Sequence, residues 1–170
     1  MHVTQIGILM EFVVLGCAGR PAEPTKSDGV HLGTARAAAI QDSVRSFAAA
    51  VARDVTTGGP EAWLPHFARG PEFFMAAEGS LVFPAFDSAT RFLREYVRST
   101  PKIELAWGND IRVDPLAPGL AVMATQYRET QTDSAGHRVS QTGFFTSVVE
   151  HNASGWQFRD AHWSSRAPLR

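Results

Sequence analysis

One cysteine, Cys17, stands in a chain of 170 residues, so no internal disulfide can brace the fold. There is no basic run, and the net charge is −1. That removes any global electrostatic reason to expect nucleic acid as a partner. No apolar stretch approaches the roughly 20 residues that a membrane-spanning helix needs. The histidines (His2, His31, His66, His137, His151, His162) show neither HxH nor HExxH spacing. Asp160-x-His162 supplies two metal ligands where a tight site wants three or four. A GxSxG elbow, a phosphate-binding loop and a dinucleotide fingerprint are all missing. The sequence therefore implies no metal and no cofactor. What is present is ordinary for a globular domain: 44% apolar and 19% charged residues, in a length suited to one core.

The N-terminal stretch has its own pattern. An apolar run from Ile6 to Leu15, broken by Glu11, leads into Gly16-Cys17. Its length suits a secretory signal core. Val14-Leu15-Gly16-Cys17 resembles a bacterial lipobox, whose cysteine is lipidated, although no Lys or Arg precedes the run. Residues 1–17 are thus expected to be a lipoprotein signal segment, with Cys17 the lipidation site and the protein anchored to the bacterial cell envelope. The alternative is a mis-assigned start, which would leave the domain cytoplasmic. Residues 18–33 are rich in Pro, Gly and small polar residues without periodicity and read as a flexible linker.

From Thr34 the period changes. Ala37, Ile40, Val44, Phe47, Ala48 and Val51 recur at helical spacing, and the helix should stop near Gly58-Gly59. Pro60 opens a second helix carrying Trp63, Leu64 and Phe67, which Pro65 shortens. Residues 72–77 and 81–83 read as a hairpin about Glu78-Gly79-Ser80. Asp87 caps a third helix with Phe92, Leu93 and Tyr96 on its apolar stripe. Strands follow at about 102–113, 120–130, 139–150 and 155–164, joined by DPLAPG, TDSAGH and NASG. The short joints imply antiparallel neighbours. The fold class is α+β, a strongly bent antiparallel sheet with helices on one side, spanning 34–166 with a tail at 167–170.

The last strand, GWQFRDAHWSS, carries the candidate chemistry. Strict alternation puts Trp156, Phe158, Asp160, His162 and Ser164 on one face. A carboxyl beside an imidazole on an apolar face could move a proton to or from a substrate carbon. The plainer reading pairs Asp160 with Arg128 or Arg159 and leaves His162 on the sheet rim. In strand 120–130 the set Val122, Ala124, Gln126 and Arg128 passes from apolar to polar, as a strand would on reaching a wet pocket mouth. Tyr96, Trp107, Gln126, Arg128, Phe144 and Trp156 are the expected pocket lining. Both faces of 139–150 are moderately apolar, so this strand is either covered twice or meets another subunit.

The element order resembles the nuclear transport factor 2-like superfamily, which includes SnoaL-like cyclases, ketosteroid isomerases and scytalone dehydratases. The most specific match is the ending: Phe145, Val148-Val149, Gly155-Trp156-x-Phe158 and His162-x-Ser164. It points to the uncharacterised SnoaL-like branch. The resemblance implies a cone-shaped sheet wrapped around the long first helix, a mostly apolar pocket at its open end, and a homodimer through the outer face. It carries over no catalytic set. Three functions follow as expectations: binding of a small apolar or amphipathic ligand; cofactor-independent isomerisation, cyclisation or dehydration with Asp160 and His162 as acid and base; or a dimeric interaction domain with a filled pocket.

Overall fold

The computed structural model describes residues 32–166. The expected signal segment with Cys17, nearly all of the expected linker, and the tail lie outside the described residues. No helix among the described residues is long and apolar enough to cross a membrane.

Helix α1 (Thr34–Gly58) buries the stripe that its period announces, Ile40, Val44, Ala48, Val51 and Val55. It ends at Gly59, whose φ of 73° lies in the left-handed region. A side chain there would also meet the Pro101 carbonyl at 2.7 Å. The second helix is a short 3-10 segment, Pro60–His66, with Pro65 inside it. It buries Trp63 at the end of α1. The hairpin β1 (Phe74–Ala77) and β2 (Ser80–Phe83) turns on Glu78 and Gly79, both at positive φ. Helix α2 (Phe86–Ser99) starts one residue before Asp87, and the Ser88 hydroxyl, not the Asp87 carboxyl, satisfies Ala85.

The expected strand 102–113 divides into β3 (Lys102–Trp107) and β4 (Arg112–Ala117). DPLAPG is therefore mostly strand, with its turn confined to Pro118-Gly119. Both short strands pair with the long β5 (Leu120–Thr132), β3 along its second half and β4 along its first. Strands β6 (Arg138–Asn152) and β7 (Gly155–Ser165) complete a sheet ordered β2-β1-β7-β6-β5-β3. The sheet is mixed, not wholly antiparallel. β1 lies parallel to β7, a pairing of distant segments that no short connection announces. The bent sheet cradles α1 on its inner face, where Phe145, Val149, Phe158, Met123 and Ala121 are fully buried around the helix stripe.

One irregularity sets the faces of the last strand. Val149 pairs with Phe158 and Val148 with Asp160, leaving Arg159 as an extra residue, a β-bulge. Beyond it the inward set is Ala161, Trp163 and Ser165, because these register with inward Ser147, Phe145 and Gly143. Asp160, His162 and Ser164 turn outward. Phe158 and Asp160 do not share a face, contrary to strict alternation.

Candidate functional site

At the open end of the cone, α2, the β1–β2 hairpin and the inner faces of β3, β5, β6 and β7 border an open-mouthed cavity of about 330 Å³. This is the size of an ordinary small-ligand site, at the low end of roughly 300–1,000 Å³. Its floor is apolar. Trp63 and Phe67 reach it from the 3-10 helix, Met75 from β1, Leu93 from α2 and Trp163 from β7. Trp163 is held from three sides: it stands edge-on to Tyr127 at 4.6 Å between ring centres, edge-on to Trp63, and stacked on Trp107. Trp107 is in turn fixed to α1 by its Nε1–H, which donates to the Ala48 carbonyl at 2.8 Å.

One wall is polar and internally bonded. The Tyr96 hydroxyl on α2 donates to Gln131 Oε1 at 2.7 Å. Gln131 Nε2 donates to Glu129 Oε1 at 2.6 Å, and Gln141 Nε2 from β6 donates to the same oxygen at 3.0 Å. Glu129 is only 7% exposed, and its Oε2 has no hydrogen-bond partner among the described residues. Tyr127 shares a 3.2 Å hydrogen bond with Ser165, whose backbone N–H donates to the Glu78 carboxyl at the rim. Burial raises both tyrosine pKa values above the ordinary range. The neighbouring carboxylates act in the same direction: Glu129 on Tyr96, and Glu129 and Glu78 on Tyr127. Both phenols therefore remain O–H donors at neutral pH.

Gly143 makes room for this wall. It registers with Tyr127 on one side and Ser165 on the other. A Cβ there would lie 1.9 Å from the Ser164 carbonyl oxygen and 2.8 Å from the Tyr127 ring. Only a glycine lets β6 and β7 stay paired while Tyr127 lies across them.

Of the residues expected to line the pocket, Tyr96 does so. Gln126, Arg128 and Phe144 project from the opposite face and line a broad outer groove of about 720 Å³. The reason is β5 itself. Its buried set is Ala121, Met123, Thr125, Tyr127 and Glu129, so the set that grades from Val122 to Arg128 is the outer one. The apolar-to-polar gradient toward a wet mouth does exist, but it runs from Ala121 to Glu129 and Gln131. Trp107 packs behind the cavity and reaches the groove edge. Trp156 donates to Ser43 Oγ at 2.9 Å on α1 and lines neither space. Asp160 Oδ1 accepts the Val148 N–H at 3.3 Å, and His162 is exposed on the same outer face. The bulge at Arg159 thus removes this pair from the cavity, and among the described residues Asp160 forms no ion pair with Arg128 or Arg159. Glu104 lies outside as well, bonded to Lys102 and Arg138. No group of three or more His, Cys, Asp or Glu side chains among the described residues is placed to hold a metal.

Comparison with known proteins is informative at the level of structure. No family model and no curated protein matches the sequence. A protein from Novosphingobium aromaticivorans assigned as a scytalone dehydratase superposes with a TM-score of 0.66 at 12% identity, over 81% of this chain and 94% of its own. A nuclear transport factor 2-like superfamily protein from Salmonella enterica does so with 0.59 at 14%, over 80% and 94%. A Xanthomonas campestris protein assigned as a calcium/calmodulin-dependent protein kinase II association domain gives 0.60 at 19%, over 74% and 87%. At such identities the likeness speaks for the fold alone. The α+β architecture, the bent sheet around α1 and these superpositions together give the chain a nuclear transport factor 2-like fold.

Proposed function

We propose that the cone cavity binds a small amphipathic molecule, with its apolar body on the Trp63–Phe67–Trp163 floor and its polar end against the Tyr96–Gln131–Glu129–Gln141 wall. The observation that carries this reading is the cavity itself: an apolar floor and one organised polar wall in about 330 Å³. A domain whose pocket is filled by its own side chains would leave no such space. The reading is tested with naphthol, a fluorescent amphipathic probe of suitable size, titrated against the full chain while tryptophan emission is followed. Saturable quenching is expected. Ala77→Phe, which projects a ring into the cavity from β1, should abolish it, whereas Asp160→Asn and His162→Ala should not. No saturable signal, or a signal that survives Ala77→Phe, would overturn the reading.

A second reading, acid–base catalysis without a cofactor, is favoured by one feature. A carboxyl with a free oxygen and two phenols kept as O–H donors surround the same space. Glu129 would then be the proton acceptor and Tyr127 or Tyr96 the donor, in place of Asp160 and His162. Two expectations from the sequence stand as proposals beside it. A homodimer would use the outer sheet face, where Phe144 is 45% exposed, and sedimentation of Phe144→Glu tests it. Lipid anchoring at Cys17 is tested by fatty-acid labelling of the full chain against Cys17→Ala.

A further inference from the structure

The polar wall has an imbalance that narrows the ligand class. Two carboxyl groups, Glu78 and Glu129, line the cavity, and no described Lys, Arg or His does. The wall's strongest donors are also turned onto one another. Both lining amides spend an N–H on Glu129 Oε1, and the Tyr96 hydroxyl is spent on Gln131. Each amide keeps a second N–H, but the charged positions left open are all carboxylate oxygens: Glu129 Oε2 inside, and the second Glu78 oxygen at the rim. Glu129 Oε2 is not sealed off, since among the described residues Thr132 Oγ1 is the one fully buried side-chain polar atom without a partner, so this carboxylate oxygen is open to a donor that a ligand brings. The aromatic surfaces beside this wall add to the bias. Tyr96 stacks on Phe92 at 5.2 Å, and Tyr127 stands against Trp163. Ring faces attract cations.

We propose that the cavity selects an amphipathic amine, with an ammonium group on Glu129 Oε2 and an aryl or alkyl body on the aromatic floor. This rests on the ligand-binding reading above and deepens it. An ammonium brings three N–H donors and a charge opposite to both carboxylates. An alcohol of the same shape brings one donor and no charge. A carboxylate brings repulsion. At about 30 Å³ for each water-sized group, the cavity has room for roughly eleven heavy atoms, which is the size of phenylbutylamine.

The test is isothermal titration of the full chain, near neutral pH and at low salt, with phenylbutylamine, phenylbutanol and phenylbutyrate. The amine should bind at least about tenfold tighter than the alcohol, the scale of one charge-assisted hydrogen bond, and the carboxylate weakest of all. Glu129→Gln, which keeps the shape of the side chain, should bring the amine down to the alcohol's affinity. Equal binding of amine and alcohol by the natural chain overturns the charge selection and leaves the ligand-binding reading standing. So does a Glu129→Gln protein that keeps the preference. If none of the three binds, both readings fall. The natural-chain series decides the matter even if the variant does not fold.

Discussion

Replacing Gly143 by alanine should damage stability and the cavity together, and the structure gives the size of the effect. The added methyl would lie 1.9 Å from the Ser164 carbonyl oxygen, a backbone atom that no side-chain rotation can move. To reach even 3.0 Å, β6 and β7 must part by about 3.0 − 1.9 = 1.1 Å at this point. That separation strains the Arg166 N–H to Thr142 carbonyl bond and the Ser164 hydroxyl bond to Phe144. It also presses on the Tyr127 ring, whose hydroxyl bonds Ser165. Overpacking typically costs about 1–3 kcal/mol, and each hydrogen bond lost adds about 1 kcal/mol. A total of about 2–4 kcal/mol is expected, or a fall in Tm of about 5–15 °C for a domain of this size. Urea unfolding and thermal melts measure it. Gly136→Ala is the control: nothing lies within 4 Å of a Cβ there, and only the cost of its φ of 88° applies. A Gly143→Ala melt within about 2 °C of the natural protein would refute the close approach of β6, β7 and Tyr127 on which the cavity wall depends.

Three further predictions follow from the same geometry. Phe145 is fully buried against Trp107, Phe158 and Trp163, so Phe145→Ala should cost about 3–5 kcal/mol in urea unfolding. Its neighbour Phe144 faces out, so Phe144→Ala should cost about 0.5 kcal/mol or less; a reversed order would mean that the faces of β6 are misassigned. The chain has only two tyrosines, both with pKa values raised by burial, so tyrosinate absorbance should appear at higher pH in the folded protein than in urea. Because the folded values exceed the unfolded one of about 10, this contribution to stability is fully present below that pH and disappears as pH rises through the folded values. Burial lowers the His66 pKa, and Asp54, 3.2 Å away, only partly offsets it. A lowered folded value means stability that is present above about 6.5 and lost as pH falls through the folded value. His66→Gln should flatten the dependence of Tm on pH in that window.

The elements were largely legible along the chain, because each obeys a local rule. The stripe from Ile40 to Val51 has one helical face to bury. Pro65 shortens the second helix in the sequence as in the structure, and Glu78-Gly79 turns the hairpin. The site was less legible. Its polar wall comes from α2, β5 and β6, and Glu129, Gln131 and Gln141 look like any polar residues until strand pairing brings them together. A clue was available in β5, where the set from Ala121 to Tyr127 continues into Glu129 and Gln131. Which of its two faces turned inward was a separate matter.

The amino-acid sequence by itself determined the three helices, the hairpin and the long strands in their order, with their apolar stripes, since these depend on neighbours within a few residues and on the periods of 3.6 and 2; the division of 102–113 into β3 and β4 and the strand character of DPLAPG it did not. Tertiary structure alone decided which side of each strand meets α1, the parallel union of β1 with β7, and the outward turn of Asp160 and His162. A single extra residue, Arg159, reverses the parity of everything beyond it. That parity is set by pairing across strands, where Val149 and Phe158 must both be buried against the long helix, and not by any preference of the residues that it moves.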